Sequence, residues 1–198
     1  LMETVRTPLN LELSVASDVV ALAEELAPVQ ATLVPEKREE ITTEGGLAMG
    51  DPGQRASVEK VARRLADRGV RTSLFIDPDP GALRAASEMG VDAVELHTGE
   101  YANAAPPDRP AQLSRIHEAA RLGRELGLAV HAGHGLTYVN VVPVAALPEI
   151  EELNIGHSIV SRAVLVGMER AVREMAEIMR GARARIGEPG GWIHPLGY

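Results

Sequence analysis

Two carboxylates interrupt apolar, strand-like runs of this sequence, and three histidines stand near them or next to glycines. These are the groups that could move protons. In Asn10-Leu11-Glu12 the period-two alternation of a strand puts Glu12 on the same face as Asn10. A carboxylate facing an interior needs a partner, and desolvation there raises its pKa into the range of a general acid or base. A structural carboxylate bonded to a neighbouring strand is the alternative. Ala93-Val94-Glu95-Leu96-His97 repeats the pattern, with Glu95 and His97 on one face, where they could share a proton network. In Ala132-Gly133-His134-Gly135, the glycines expose the His134 ring and free nearby N–H groups for an oxyanion or phosphate. Ile155-Gly156-His157-Ser158 passes from a strand into a long helix. Its glycine lets an anion approach, and the helix N-terminus supplies unpaired donors and a positive dipole end. Ordinary tight or capped turns would account for both glycine-histidine segments without chemistry.

Two further features bear on the same chemistry. The stretch from Pro35 through Gly46, with polar residues continuing to Gln54, exceeds the usual βα loop of about two to six residues. Within it Thr42 and Thr43 offer hydroxyl and backbone donors, and Gly45 and Gly46 allow close approach or a hinge. A solvated surface loop is the plainer reading. A metal site is the other possibility, since Glu12, Glu95, His97, His131, His134 and His157 could all turn toward one rim. No two of these histidines have the i, i+4 spacing of a metal-binding helix, and no metal is expected.

The elements that must position these groups read as alternating βα units. Apolar, β-branched runs occur at Leu9 to Leu13, Val29 to Val34, Val70 to Ile76, Ala93 to Leu96, Leu128 to Val130 and Leu153 to Ile155. Helical periodicity fills most of the gaps. Ser17 is expected to cap a helix from Asp18 to Ala27, and Ser57 one that runs to about Arg68. Pro80 opens a helix ending near Gly90, Ala111 to Leu126 forms another, and Ser158 to about Arg180 reads as one long helix. That last helix carries Val160, Val164, Met168, Val172 and Met175 on or near one face. A tail over 187–198, rich in glycine and proline, is expected to be a flexible extension of a single domain spanning 1–186.

Six consecutive parallel strands would leave two unpaired edges beside an apolar interior, so the expected fold is an incomplete (β/α)8 barrel of the TIM type. A doubly wound sheet is the alternative, but its Gly-x-Gly-x-x-Gly turn is absent. At 198 residues the chain is also shorter than the roughly 250 of a complete barrel. Hydrophobic residues at 45% and charged residues at 24% suit a globular chain with a sizeable core, which must be aliphatic because aromatics are only 3%. A net charge of −8 argues against nucleic-acid binding. The lack of cysteine excludes thiol chemistry, and no apolar run reaches the roughly 18 residues of a membrane span. A soluble, cytoplasmic protein is expected. The lysines are Lys37 and Lys60, neither in a strand run, which disfavours a Schiff-base aldolase.

Taken in order, Asn10-Leu11-Glu12, Val34-Pro35-Glu36-Lys37-Arg38 with Thr42-Thr43-Glu44-Gly45-Gly46, Ser73-Leu74-Phe75-Ile76-Asp77, Glu95-Leu96-His97-Thr98-Gly99, Ala132 to Tyr138 and Glu152 to His157 resemble the pyridoxine 5'-phosphate synthase family. The resemblance runs from about Leu9 to Arg180. It implies a barrel whose third to eighth strands are these, with the family's first two βα units not in this sequence. It implies condensation of 1-deoxy-D-xylulose 5-phosphate with 3-amino-2-oxopropyl phosphate, and neither a metal nor an organic cofactor. By motif, Glu12 matches a general base or acid, Glu95 a carboxylate that stabilises a charged transition state, and His134 a proton donor. Thr42 matches a substrate contact, Gly135 a backbone contact, and Gly156 with His157 the phosphate loop. Homo-octamers are implied as well. Another phosphate-sugar barrel enzyme, or a non-catalytic phosphate-ligand binding subunit, remains the alternative.

Overall fold

The computed structural model describes residues 4–35 and 45–184. Thr42 and the tail over 187–198 lie outside the described residues. Strands and helices alternate: β1 (Asn10–Leu13), α1 (Ser17–Leu26), β2 (Gln30–Leu33), α2 (Pro52–Ala66), β3 (Arg71–Ile76), α3 (Pro80–Glu88) and β4 (Ala93–His97). They continue with α4 (Gly99–Asn103), α5 (Arg109–Glu125), β5 (Ala129–Gly133), α6 (Val141–Ala145), β6 (Glu152–Asn154), α7 (His157–Val166) and α8 (Met168–Ala184). The six expected strands are all present.

The strands form one parallel sheet in the order β1-β2-β3-β4-β5-β6, so each new strand adds beside the one before it. Such sequential addition, with helices on one side, curls the sheet into part of a (β/α)8 barrel. Side-chain alternation then divides the two faces. Leu33, Leu74, Ile76, Val94, Leu96 and Val130 share the outer face and are buried in one cluster with Val20, Val58, Leu65, Leu83 and Ile116 of the surrounding helices. The concave face is polar: Glu12, Thr32, Ser73, Glu95 and His131 all stand on it. The burial of aliphatic side chains outside this sheet thus leaves its inside free for chemistry.

Local start and stop signals differ from the expected ones at three places. Ser17 is the first residue of α1, which begins after Ala16 without a side-chain cap. The cap of α2 is Asp51, whose carboxylate accepts from the Gln54 amide at 2.7 Å. Pro52 follows at the first helical position, where its missing N–H costs nothing. Ser57 therefore lies inside α2 and donates its hydroxyl to the Gly53 carbonyl. The single long helix expected from Ser158 is in fact two, broken at Gly167, whose φ of 83° lies in the region glycine tolerates. Nor is its apolar stripe covered among the described residues. Val160, Val164, Met168 and Val172 are exposed, and only Met175 of that set is buried.

Candidate active site

A cavity of about 700 Å³ opens at the carboxyl ends of the strands. It is lined by Glu12 of β1, Phe75 of β3, Glu95 of β4, Asn154 of β6, the turn from His134 to Thr137, and the passage from Ile155 to Ser158. The parallel direction of every strand is the cause, since all the following loops meet at one rim. Glu12, Glu95, His134, Gly135, Gly156 and His157 are thereby brought to one place.

Glu95 is the most strongly perturbed of these groups. Its side chain is buried, and burial pushes its carboxyl up to about 8, with the charges of Glu12 and Glu152 adding to the rise. Against that rise, the Asn154 amide donates to Glu95 Oε2 at 2.7 Å. Gly133 makes this pair possible, because a Cβ there would collide with the Glu95 carboxyl and stand 3.0 Å from the Asn154 carbonyl. The shared proton network expected between Glu95 and His97 does not form. Instead His97 Nδ1 lies 3.0 Å from Asp77 Oδ1, and Glu95 turns to Asn154. Alternation placed Glu95 and His97 on one face correctly, but two residues of rise separate them along β4. Asn154 and Asp77 lay within the quoted motifs, yet nothing in the spacing showed which partner each would take.

Glu12 departs from its expected environment. Its side chain is exposed within the cavity, because β1 is an edge strand paired only with β2 among the described residues. The burial expected for it is therefore not found. Its neighbours are ordered by a different bond: the Thr32 hydroxyl donates to Asn10 Oδ1 at 3.0 Å.

The turn after β5 is held in an uncommon conformation. His134 has φ of 80° and Gly135 φ of 74°, so two successive residues lie in the left-handed region. For a histidine this costs energy, and surrounding bonds must enforce it. The Thr98 hydroxyl lies 2.7 Å from the Gly133 carbonyl and 2.5 Å from that of His134 and shares its one hydrogen between them, while the Thr98 amide donates to Gly133 O at 2.8 Å. Asn140 accepts from the Thr137 amide and donates to the Gly135 carbonyl. Across the cavity, Gly156 and His157 are exposed at the start of α7, and no neighbour lies where a Gly156 Cβ would be. Open space in front of a ten-residue helix suits an anion. His131, the histidine within β5, is buried with Nδ1 lacking a hydrogen-bond partner among the described residues, and burial lowers its pKa. Among the described residues no three acidic or histidine side chains are grouped to hold a metal ion.

Fold and site together define an enzyme-like partial (β/α)8 barrel with acid-base groups and an anion-ready turn at its carboxyl rim. Two solved structures share the fold alone: a xylose isomerase domain protein from Planctomyces limnophilus, with TM-score 0.51 and 14% identity, covers 86% of this chain and 71% of its own. The flavin-binding domain of baker's yeast flavocytochrome b2, with TM-score 0.55 and 16% identity, covers 90% and 50%. Sequence relatedness is far closer elsewhere. Pyridoxine 5'-phosphate synthase from Trichlorobacter lovleyi is 52% identical over 181 residues, 91% of this chain and 75% of the relative. The enzyme of the same name from Synechococcus sp. (strain JA-2-3B'a(2-13)) is 54% identical over 180 residues, 90% of this chain and 74% of the relative. The family described as pyridoxal phosphate biosynthesis protein PdxJ matches residues 1–181, and the chain belongs to that family.

Proposed function

We propose that the cavity condenses 1-deoxy-D-xylulose 5-phosphate with 3-amino-2-oxopropyl phosphate, giving pyridoxine 5'-phosphate, inorganic phosphate and water. The pyridoxine 5'-phosphate synthase activity follows from family membership and from relatives at about half identity across nine-tenths of the chain. The observation that carries the assignment of the site is that Glu12, Glu95 and His134 line one cavity with Gly156 and His157.

Ring closure joins an amine to a carbonyl, moves several protons, and expels phosphate and water, so more than one acid-base group must reach the same substrate. Glu12, exposed in the cavity, takes and returns protons at carbon and nitrogen. Glu95 sits near 8 in its resting state and is therefore mostly protonated at neutral pH. A cationic imine forming beside it draws that proton off, and the resulting carboxylate stabilises the charge. His134 donates a proton to the departing oxygen. The phosphate group rests on the backbone amides at the start of α7, with His157 beside it and the Gly135 amide facing the substrate. Thr42 supplies a further substrate contact. No cofactor is required by this scheme, since each step is a proton transfer, an addition or an elimination. The working assembly is a homo-octamer in the cytoplasm. Among the described residues no helix is long and apolar enough to cross a membrane.

The decisive experiment incubates the full chain with both phosphorylated substrates and follows pyridoxine 5'-phosphate by its absorbance and mass. Product is expected. A folded chain that yields none overturns the reading.

A further inference from the structure

Three aromatic rings stack behind the cavity wall, and only two of them reach it. Phe75 and His134 line the cavity, whereas His97 is 7% exposed and stands behind them. The His97 ring meets Phe75 edge-on at 5.3 Å and the His134 ring at 4.9 Å, tilted by 57°. Gly99 leaves room for this contact. A Cβ at that position would lie 2.5 Å from His97 Nε2 and 3.2 Å from His134 Cδ2.

The outer edge of the His97 ring is fixed by Asp77, just beyond the end of β3. Asp77 Oδ1 receives the His97 Nδ1 hydrogen at 3.0 Å and also accepts from the Gly46 amide at 3.0 Å. A carboxylate only accepts, so this bond fixes the tautomer with hydrogen on Nδ1. His97 Nε2 is buried and has no hydrogen-bond partner among the described residues. A ring held by one bond at one edge has its plane set by that bond. The neighbouring His134 ring, on a backbone already forced to positive φ, packs against that plane.

We infer that Asp77 and His97 are positioning residues for the synthase reaction, orienting the His134 ring toward the cavity through the chain Asp77–His97–His134. Neither touches the substrate. The inference rests on the role assigned to His134 above. Around metal-ligating histidines, removing an outer hydrogen-bond partner lowers activity on the order of 10- to 100-fold, and a loss of that size, falling on turnover more than on binding, is expected for an acid-base histidine positioned in the same way.

Asp77 is half-exposed in a loop, so its substitution opens no cavity among the aliphatic core residues. In the full chain, Asp77→Ala is expected to lower kcat by about 10- to 100-fold with KM for both substrates held within about twofold. Asp77→Asn keeps an acceptor oxygen and recovers most of the loss. His97→Asn, which can still reach Asp77 but empties the ring contact, is expected to lower kcat as Asp77→Ala does. A second readout needs no turnover: the ring nitrogen resonances of His134 shift in Asp77→Ala and return in Asp77→Asn. Wild-type kcat in both Asp77→Ala and His97→Asn, or a rise in KM with kcat untouched, overturns the inference, as do His134 resonances that stay in place. A wild-type chain that makes no product would defeat the functional reading while the resonance test still decides this one.

Discussion

Glu95 ties the chemistry of the site to the stability of the fold. Its carboxyl is raised from 4.5 to about 8, chiefly by burial, so the folded state prefers the protonated form. Below about pH 4.5 the group is neutral in folded and unfolded chains alike and contributes no difference. As pH rises from there through 8, the unfolded chain ionises more readily and stability is lost. Glu95→Gln removes that loss. Its melting temperature is expected to match wild type near pH 4 and exceed it at pH 9. Melting curves that keep a constant separation across this range would show that Glu95 is not buried as a neutral acid. Glu12 is a contrasting case, since it is exposed and makes no hydrogen bond that holds the fold among the described residues. Glu12→Gln is expected to lower kcat by at least about 100-fold, the range of a general acid or base, with the melting temperature unchanged. A drop in melting temperature without a change in kcat would return Glu12 to a structural role.

At the scale of elements, the positions of the strands were legible because a β-branched apolar run bounded by glycine or polar residues has few other uses in a globular chain. Helix starts were less so. Ser17 and Ser57 have the right chemistry for a cap, but Asp51 followed by Pro52 wins the start of α2, and Asp79 followed by Pro80 that of α3, where Asp79 accepts from the Ala82 amide at 2.9 Å. Asp51→Ala is expected to cost about 1 kcal/mol of stability, the usual value of a helix cap, measured by denaturant unfolding. No loss would mean that Pro52 and the packing of α2 set its start without the carboxylate. Gly46 belongs to the same scale, because a Cβ there would stand 2.5 Å from the Ile76 Cα. Only glycine can lie this close against the end of β3 with its amide on Asp77.

In the whole molecule, β1 and β6 each pair on one side only among the described residues, so the sheet curls without closing. On the outer surface Val160, Val164, Leu165, Met168 and Val172 of α7 and α8 are exposed, Val164 and Leu165 at 81% and 79%. Clustered exposed apolar side chains of this kind bind polarity-sensitive dyes. An anilinonaphthalene sulfonate dye is expected to gain fluorescence on this chain, and Val164→Lys with Leu165→Glu to remove most of that gain. Equal fluorescence in the variant would place the apolar surface elsewhere. The sequence showed that this helical face is apolar, because periodicity is a property of the segment. It could not show what packs against the face, since that depends on neighbours far away in the chain.

The same distinction separates what the amino-acid order determined from what folding decided. Alternation, loop punctuation and the placing of Glu12, Glu95, His134 and Gly156 near strand ends were all local, and local patterns are written directly in the chain. Which acid loses its water, which histidine takes a carboxylate partner and which stands at the cavity wall are consequences of residues 20 to 59 positions apart coming into contact, as Asp77 meets His97 and Asn154 meets Glu95. Only the curling of the sheet, which brings β3, β4 and β6 around one cavity, fixes those distances, and pKa and hydrogen bonding follow from distance and burial rather than from spacing along the chain.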